Sequence, residues 1–197
     1  MHYFQLLGWL ACVAYSTVPA FWLMIHPFAD RWREQRRSPY FVLLPAWMAM
    51  WAAFALCTRP WRVALVYHAN WSWIAGLVLF TTGLSIHSQA LKHFSAKQLG
   101  GVPELHRANR DQRLITTGIR SRVRHPVYLA YLCEMLGLSI GTGLAVCWAL
   151  TAFAIATGAA MIGAEDTELE KRFGEEYRAY RSAVPAVFPR MSASRQL

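Results

Sequence analysis

Hydrophobic and polar positions along this chain fall into long blocks. Apolar runs occupy roughly residues 3–25, 40–57 and 70–91, and a longer one extends from 127 to 163 without a Lys or Arg. Each of the first three has about the 17 to 25 residues that a helix needs to cross a hydrocarbon core. The last is too long for one crossing, because as a single helix it would reach about 55 Å against a core of about 30 Å. Gly141-Thr142-Gly143 offers a turn near its middle. The pattern therefore predicts a hairpin of two helices, 127–140 and 144–163, and an all-α membrane bundle of five spans.

The polar segments between the runs differ in character. Asp30 to Arg37 is a short charged loop expected only to fix topology. The stretch from Lys92 to Arg124 carries Gly100-Gly101 and Thr117-Gly118 and is long enough to fold over a polar ligand. After residue 163, Leu169, Phe173, Tyr177, Tyr180 and Val184 recur at helical spacing with charges between them, which predicts an amphipathic C-terminal helix against the membrane core or its interface. We see no internal repeat or low-complexity linker, so residues 1–197 read as one membrane domain.

Composition supports the bilayer as solvent. Of 197 residues 55% are hydrophobic and only 16% charged, and nine are Trp. The +9 net charge follows largely from topology. Five spans put 26–39, 92–126 and the tail on one side, and these hold every Lys and Arg except Arg59 and Arg62. By the positive-inside rule that side is cytoplasmic and the N-terminus is outside, as in a bacterial-type inner membrane. Attraction to anionic membrane lipids is a secondary effect, and no nucleic-acid partner is expected. No Lys or Arg precedes the first run, so no cleavable signal is expected. Cys12, Cys57, Cys133 and Cys147 lie singly in the predicted spans and read as packing residues, not as a disulfide or metal framework.

Candidate chemistry gathers where the cationic loop meets the fourth apolar run. Arg124-His125-Pro126-Val127-Tyr128 stands at that junction, with Glu165-Asp166 just beyond the hairpin. Such a junction is where a water-soluble cofactor can meet a membrane-dissolved substrate. Glu134 is an acid well inside a predicted span; a carboxylate there must face the bundle interior, be protonated or have a partner, so it is the candidate catalytic or proton-accepting group. His87 and His93 suggest haem only superficially, since no suitably spaced pair answers them on another span.

Taken in order, Leu114-Ile115-Thr116-Thr117-Gly118, Arg124 to Tyr128, Glu165-Asp166-Thr167-Glu168-Leu169 and Phe173-Gly174-Glu175-Glu176-Tyr177-Arg178-Ala179-Tyr180 resemble the isoprenylcysteine carboxyl methyltransferase family, which in its broad sense includes the membrane phospholipid methyltransferases. The match covers roughly 110–190; residues 1–90 correspond only as generic membrane helices. The resemblance implies an S-adenosylmethionine-dependent methyltransferase whose cofactor lies at the cytoplasmic face, within roughly 100–190. It implies cofactor contacts from Gln112, Arg113, Leu114, Ile115, His125, Pro126, Val127, Tyr128 and Glu165. A carboxylate and an aromatic face suit a sulfonium-bearing ligand.

Two departures bear on the acceptor. Arg120 stands where the family often has Tyr, and Met161 occupies the position of a substrate-orienting Arg in the eukaryotic prenylcysteine enzymes, so both are candidate substrate-binding residues. The expected substrate is a lipid-like or small apolar acceptor, prenylated or not. Alternatives are N-methylation of an ethanolamine headgroup and a non-catalytic membrane scaffold of the same fold. No obligate protein partner is inferred.

Overall fold

The computed structural model describes residues 3–69, 71–92, 105 and 113–190. The described residues form helices and connections, with one isolated bridge between Leu65 and Leu144 in place of a sheet. The helices are α1 (Tyr3–Leu23), α2 (Ala29–Glu34), α3 (Tyr40–Thr58), α4 (Ser72–Leu91), α5 (Pro126–Thr142), α6 (Ala145–Phe173) and α7 (Glu175–Ala183). Short 3₁₀ turns stand at His26–Phe28, Arg59–Trp61 and Gly118–Ser121.

The expected hairpin is α5 and α6. Pro126 opens α5 at a position where its missing N–H costs nothing. Gly143 closes it in the left-handed region at φ +65°, which a side chain would strain, and its N–H bonds Ser139 O. The connection from α3 to α4 clasps the turn: Val66 N–H donates to Gly143 O at 2.8 Å and Ala145 N–H to Ala64 O at 2.9 Å.

Four helical segments, Tyr3–Glu34, Tyr40–Trp61, Ser72–Leu91 and Ala145–Phe173, are long and apolar enough to cross a membrane. The protein is an all-α membrane bundle. α5, with 17 residues, rises about 25 Å and stands at the lower limit of a span. It is sheltered between α4 and α6. By contrast α3 and α4 expose Phe41, Met48, Ile74, Leu77 and Val78, as helices facing hydrocarbon do.

α6 departs from the expected boundary at 163. It continues through its charged turns to Phe173, because Glu165 to Arg172 contains no helix breaker, and ends at Gly174, whose φ of +58° turns the chain into α7.

Two seams set the helix order. Trp9, Cys12 and Val13 of α1 pack with Met135, Val146, Cys147 and Leu150 of the hairpin. Indole N–H bonds tie α3 to α1, from Trp47 and Trp51 to Thr17 Oγ1 at 3.0 and 2.6 Å and from Trp9 to Thr58 Oγ1 at 2.9 Å. Across the other seam, α4 and α5 meet almost backbone to backbone. A Cβ on Gly76 would come within 2.5 Å of Gly137 O, and one on Gly137 within 2.6 Å of Gly76 O. Apolar surface gains little by leaving lipid, so close van der Waals approach of small residues is what holds such a pair.

These contacts orient the bundle. Gly8 meets Thr142, Trp9 meets Thr58 and Tyr67 meets Ile140, so the start of α1, the 59–71 connection and the hairpin turn share one end. The 26–39 segment, the start of α5 and the end of α6 share the other. Among the described residues Arg59 and Arg62 lie at the first end and the remaining Lys and Arg at the second.

The α4–α5 seam has no room for a side chain at Gly137. Gly137→Leu is expected to destabilise the bundle by about 1 to 3 kcal/mol or to force the pair apart, read as a lower melting temperature in detergent relative to Gly163→Leu, since a Cβ at Gly163 meets nothing within 4 Å.

Candidate functional site

The charged end of the bundle is organised around His125. Its backbone N–H donates to Ala186 O at 2.8 Å and that of Arg124 to Pro185 O at 2.9 Å, so the chain entering α5 runs along the segment that leaves α7. Arg124 also donates from its guanidinium to the carbonyls of Arg181 and Val184 and to Asp166 Oδ2 at 2.9 Å. The imidazole of His125 is then held between consecutive residues of α6. Nε2 lies 2.8 Å from Asp166 Oδ1, which also accepts the Tyr177 hydroxyl, and Nδ1 lies 3.2 Å from Glu165 Oε2. Consecutive helical residues diverge, and the ring fits between them because its two nitrogens do too.

Burial alone would drive a proton off His125. The Glu165 and Asp166 carboxylates outweigh it and raise the group from 6.5 to about 9. The site therefore has a buried imidazolium at neutral pH, and His125 is more than the helix cap its position suggests.

Next to this cluster is a cavity of about 280 Å³, just under the roughly 300 to 1,000 Å³ of sites for one small molecule. Arg113, Leu114, Ile115, His125, Pro126 and Val127 line it, as do Tyr128 and Glu165, so eight of the expected cofactor residues share one wall system. Gln112 lies outside the described residues. Leu169, Phe173, Tyr177 and Tyr180 also line the cavity, so the apolar stripe expected along the tail closes the site.

Arg120 is on the wall too. Its guanidinium reaches Ala90 O at the end of α4 at 2.9 Å, and its carbonyl accepts the Tyr180 hydroxyl at 2.7 Å. Burial lowers its pKa, against the opposing pull of Tyr180 and Glu165.

Two expected residues are placed elsewhere. Met161 is fully buried and off the cavity, turned by α6 toward α5, where its sulfur accepts the Tyr128 hydroxyl at 3.0 Å. Glu134 is also fully buried and off the wall. Its Oε1 lies 3.2 Å from Nδ1 of His87 on α4, and it is His87 that lines the cavity.

The N-terminal third contributes residues that sequence reasoning passed over. Trp22 and His26 line the cavity with their rings stacked at 5.4 Å, and Leu91 joins them from α4. His26-Pro27, at the end of an apolar run, repeats the His125-Pro126 pattern in the sequence and was the available signal. The 30–37 loop likewise does more than set topology. Arg33 pairs with Glu168 at 2.7 Å with both side chains 8% exposed, which ties α2 to the charged end of α6.

The imidazolium makes stability pH-dependent. Because the folded value is raised, its contribution is complete below about pH 6.5 and is lost as pH rises through about 9, on the order of 3 kcal/mol over that window. The melting temperature of wild type should fall across this interval, and that of His125→Gln should be lower at neutral pH and flatter.

A family model described as phospholipid methyltransferase matches residues 71–176, just over half of the chain. The cobalt-zinc-cadmium resistance protein CzcN of Cupriavidus metallidurans is 29% identical over 147 residues, 68% of this chain. The match spans 64% of that relative's own length, less than two thirds of it. No solved structure matches. The matched stretch runs from the start of α4 into α7 and takes in the α5–α6 hairpin with its His125, Glu165 and Asp166 cluster; the chain belongs to the phospholipid methyltransferase family.

Proposed function

We propose that the protein transfers a methyl group from S-adenosylmethionine to a lipid-like or small apolar acceptor, in the manner of the isoprenylcysteine carboxyl methyltransferases it resembles. The observation that carries this reading is the cavity at the junction of apolar helices and cationic end, where polar atoms remain unsatisfied. Glu165 Oε2 is buried and, although near the His125 charge, accepts no aligned hydrogen bond; His26 Nδ1 is buried without a partner. Both residues line the cavity, and the Glu165 side chain is 24% exposed, so the wall offers a carboxylate to a ligand that is itself polar and cationic.

Glu165 would hold the amino or ribose side of the cofactor, and Tyr128 and Tyr131 would supply aromatic surface for a cation. When bound, S-adenosylmethionine supplies an electrophilic methyl carbon on a sulfonium leaving group. The chain's own contribution is alignment and exclusion of water, for which Leu114, Ile115, Leu169 and Phe173 give apolar walls. His125 organises the site from behind by fixing Glu165 relative to α5.

A second acceptor reading is favoured by Arg113 and Arg120, which line the cavity together with Glu165. An ethanolamine phospholipid carries a phosphate for the one sign and an amine for the other. Met161 leaves no cation at the position where prenylcysteine enzymes bind a carboxylate, which also weighs toward this acceptor.

In the membrane we place the end that carries this cavity in the cytoplasm, with the N-terminus and Arg59 and Arg62 outside, as the Lys and Arg distribution asks of a bacterial inner membrane. Single cysteines at Thr117 and Pro189, in a background without native cysteines, should react with impermeant reagent only from the cytoplasmic side, and one at His68 only from the outside. Labelling of the first two from opposite sides would overturn the placement.

Glu165→Gln should weaken S-adenosylmethionine binding by about 1 to 3 kcal/mol, measured by calorimetry on purified protein. Equal affinity in a folded variant would remove Glu165 from the cofactor site.

A further inference from the structure

The buried carboxylate of Glu134 and its partner His87 take no part in the cofactor arrangement just described. Yet the α4–α5 seam is shaped around them. Gly83 of α4 lets the helices approach so closely that a Cβ there would meet Glu134 Cγ at 2.6 Å. Glu134 is 0% exposed, in a span where an unpaired carboxylate is costly, and its Oε1 stands 3.2 Å from His87 Nδ1. His87 faces two ways. One ring nitrogen is on Glu134, while the side chain, 21% exposed, opens onto the cavity. Tyr131, also on the wall, meets the ring edge-on at 5.0 Å. A tie between two helices has no need to reach a cavity, whereas a carboxylate-held imidazole on a cavity wall has the arrangement of a general base, with the carboxylate fixing the tautomer.

We propose that His87 is the proton acceptor for a protic methyl acceptor, an amine, thiol or hydroxyl, and that Glu134 is its positioning residue. The inference rests on the methyl-transfer reading above and narrows its substrate class. As the nitrogen, sulfur or oxygen forms its bond to the methyl carbon, the carbon–sulfur bond to the donor breaks and its electron pair stays on sulfur. The acceptor's proton passes to His87 Nε2, for an ammonium headgroup before attack, since only the neutral amine has the lone pair that forms the new bond. The products are a methylated acceptor, a neutral thioether and an imidazolium, so the sulfonium's positive charge ends on His87 beside the Glu134 carboxylate. A carboxylate acceptor carries no proton to remove and gives this pair nothing to do. The assignment therefore points away from prenylcysteine and toward the amine of a phospholipid headgroup. Titratable groups around His87 are Glu134 and Tyr131 from α5, Tyr15 from α1 beside both, and Arg120, His125 and Glu165 on the same cavity.

The test uses full-length wild type, His87→Gln and Glu134→Gln in lipid nanodiscs. Nitrogen-15 NMR of histidine-labelled protein without donor, with the His87 signal identified by its loss in His87→Gln, reads the tautomer. Turnover per folded molecule is measured with phosphatidylethanolamine, a long-chain thiol and a prenylcysteine analogue, beside S-adenosylmethionine affinity and melting temperature. The expected results are a proton on Nδ1, a loss of about 100-fold or more on the protic acceptors in His87→Gln and a smaller loss in Glu134→Gln. Donor affinity should stay within about twofold, and the rate increase with rising pH should disappear in His87→Gln. A proton on Nε2, methylation of the carboxylate acceptor alone, or unchanged turnover per folded molecule would overturn the assignment. If none of the three acceptors is methylated, the tautomer decides. Failure of wild type to bind S-adenosylmethionine would overturn the methyl-transfer reading itself and this inference with it, whereas donor binding with protic turnover insensitive to His87 overturns this inference alone.

Discussion

The contact between His125 and the adjoining carboxylates of Glu165 and Asp166 joins the first turn of α5 to the last turns of α6, and the rest of the charged end is built outward from it. Each group would be unfavourable alone at this depth. Together an imidazolium and two carboxylates, with Arg124 and Tyr177 on Asp166, satisfy one another except at Glu165 Oε2 and Arg124 Nε. Removing one partner of such a cluster exposes the cost of burying the others, which for buried ion pairs is about 3 to 5 kcal/mol. A single arrangement thus closes the hairpin, places α7 and leaves one carboxylate oxygen for the cavity.

The glycine seam between α4 and α5 has a different physical origin and a complementary effect. It rests on the closeness of two backbones, which requires Gly76 and Gly137 to have no side chains. It fixes the depth at which α4 ends. That depth brings Ala90 O to Arg120 and sets His87 beside Glu134 at the cavity. Sequence distance hides this, because Glu134 and His87 are 47 residues apart.

Much of the bundle is legible without coordinates. Block lengths give the helices, Gly141-Thr142-Gly143 gives the hairpin turn, and the distribution of Lys and Arg gives the ends, since each depends on local composition or on a rule about the membrane as solvent. The ordered motifs also lead to eight of the residues that line the cavity; Gln112 lies outside the described residues. Sequence spacing misleads where one helix face must be chosen. Met161 aligns with a substrate-orienting position yet packs inward on Tyr128, and Glu134 stands close to Tyr128 in sequence yet off the cavity wall.

By itself, then, the sequence determined that this is a helical membrane protein with its cationic segments at one end and its candidate site at the start of the fourth apolar run. Those properties follow from chain-local hydrophobicity and charge. Only the tertiary structure decided that Trp22, His26 and Arg33 from the N-terminal third belong to the charged end, and that His87, not Glu134, reaches the cavity. It also decided that His125 is charged, because a raised pKa comes from two carboxylates facing one buried ring, a convergence in space that one-dimensional spacing does not encode.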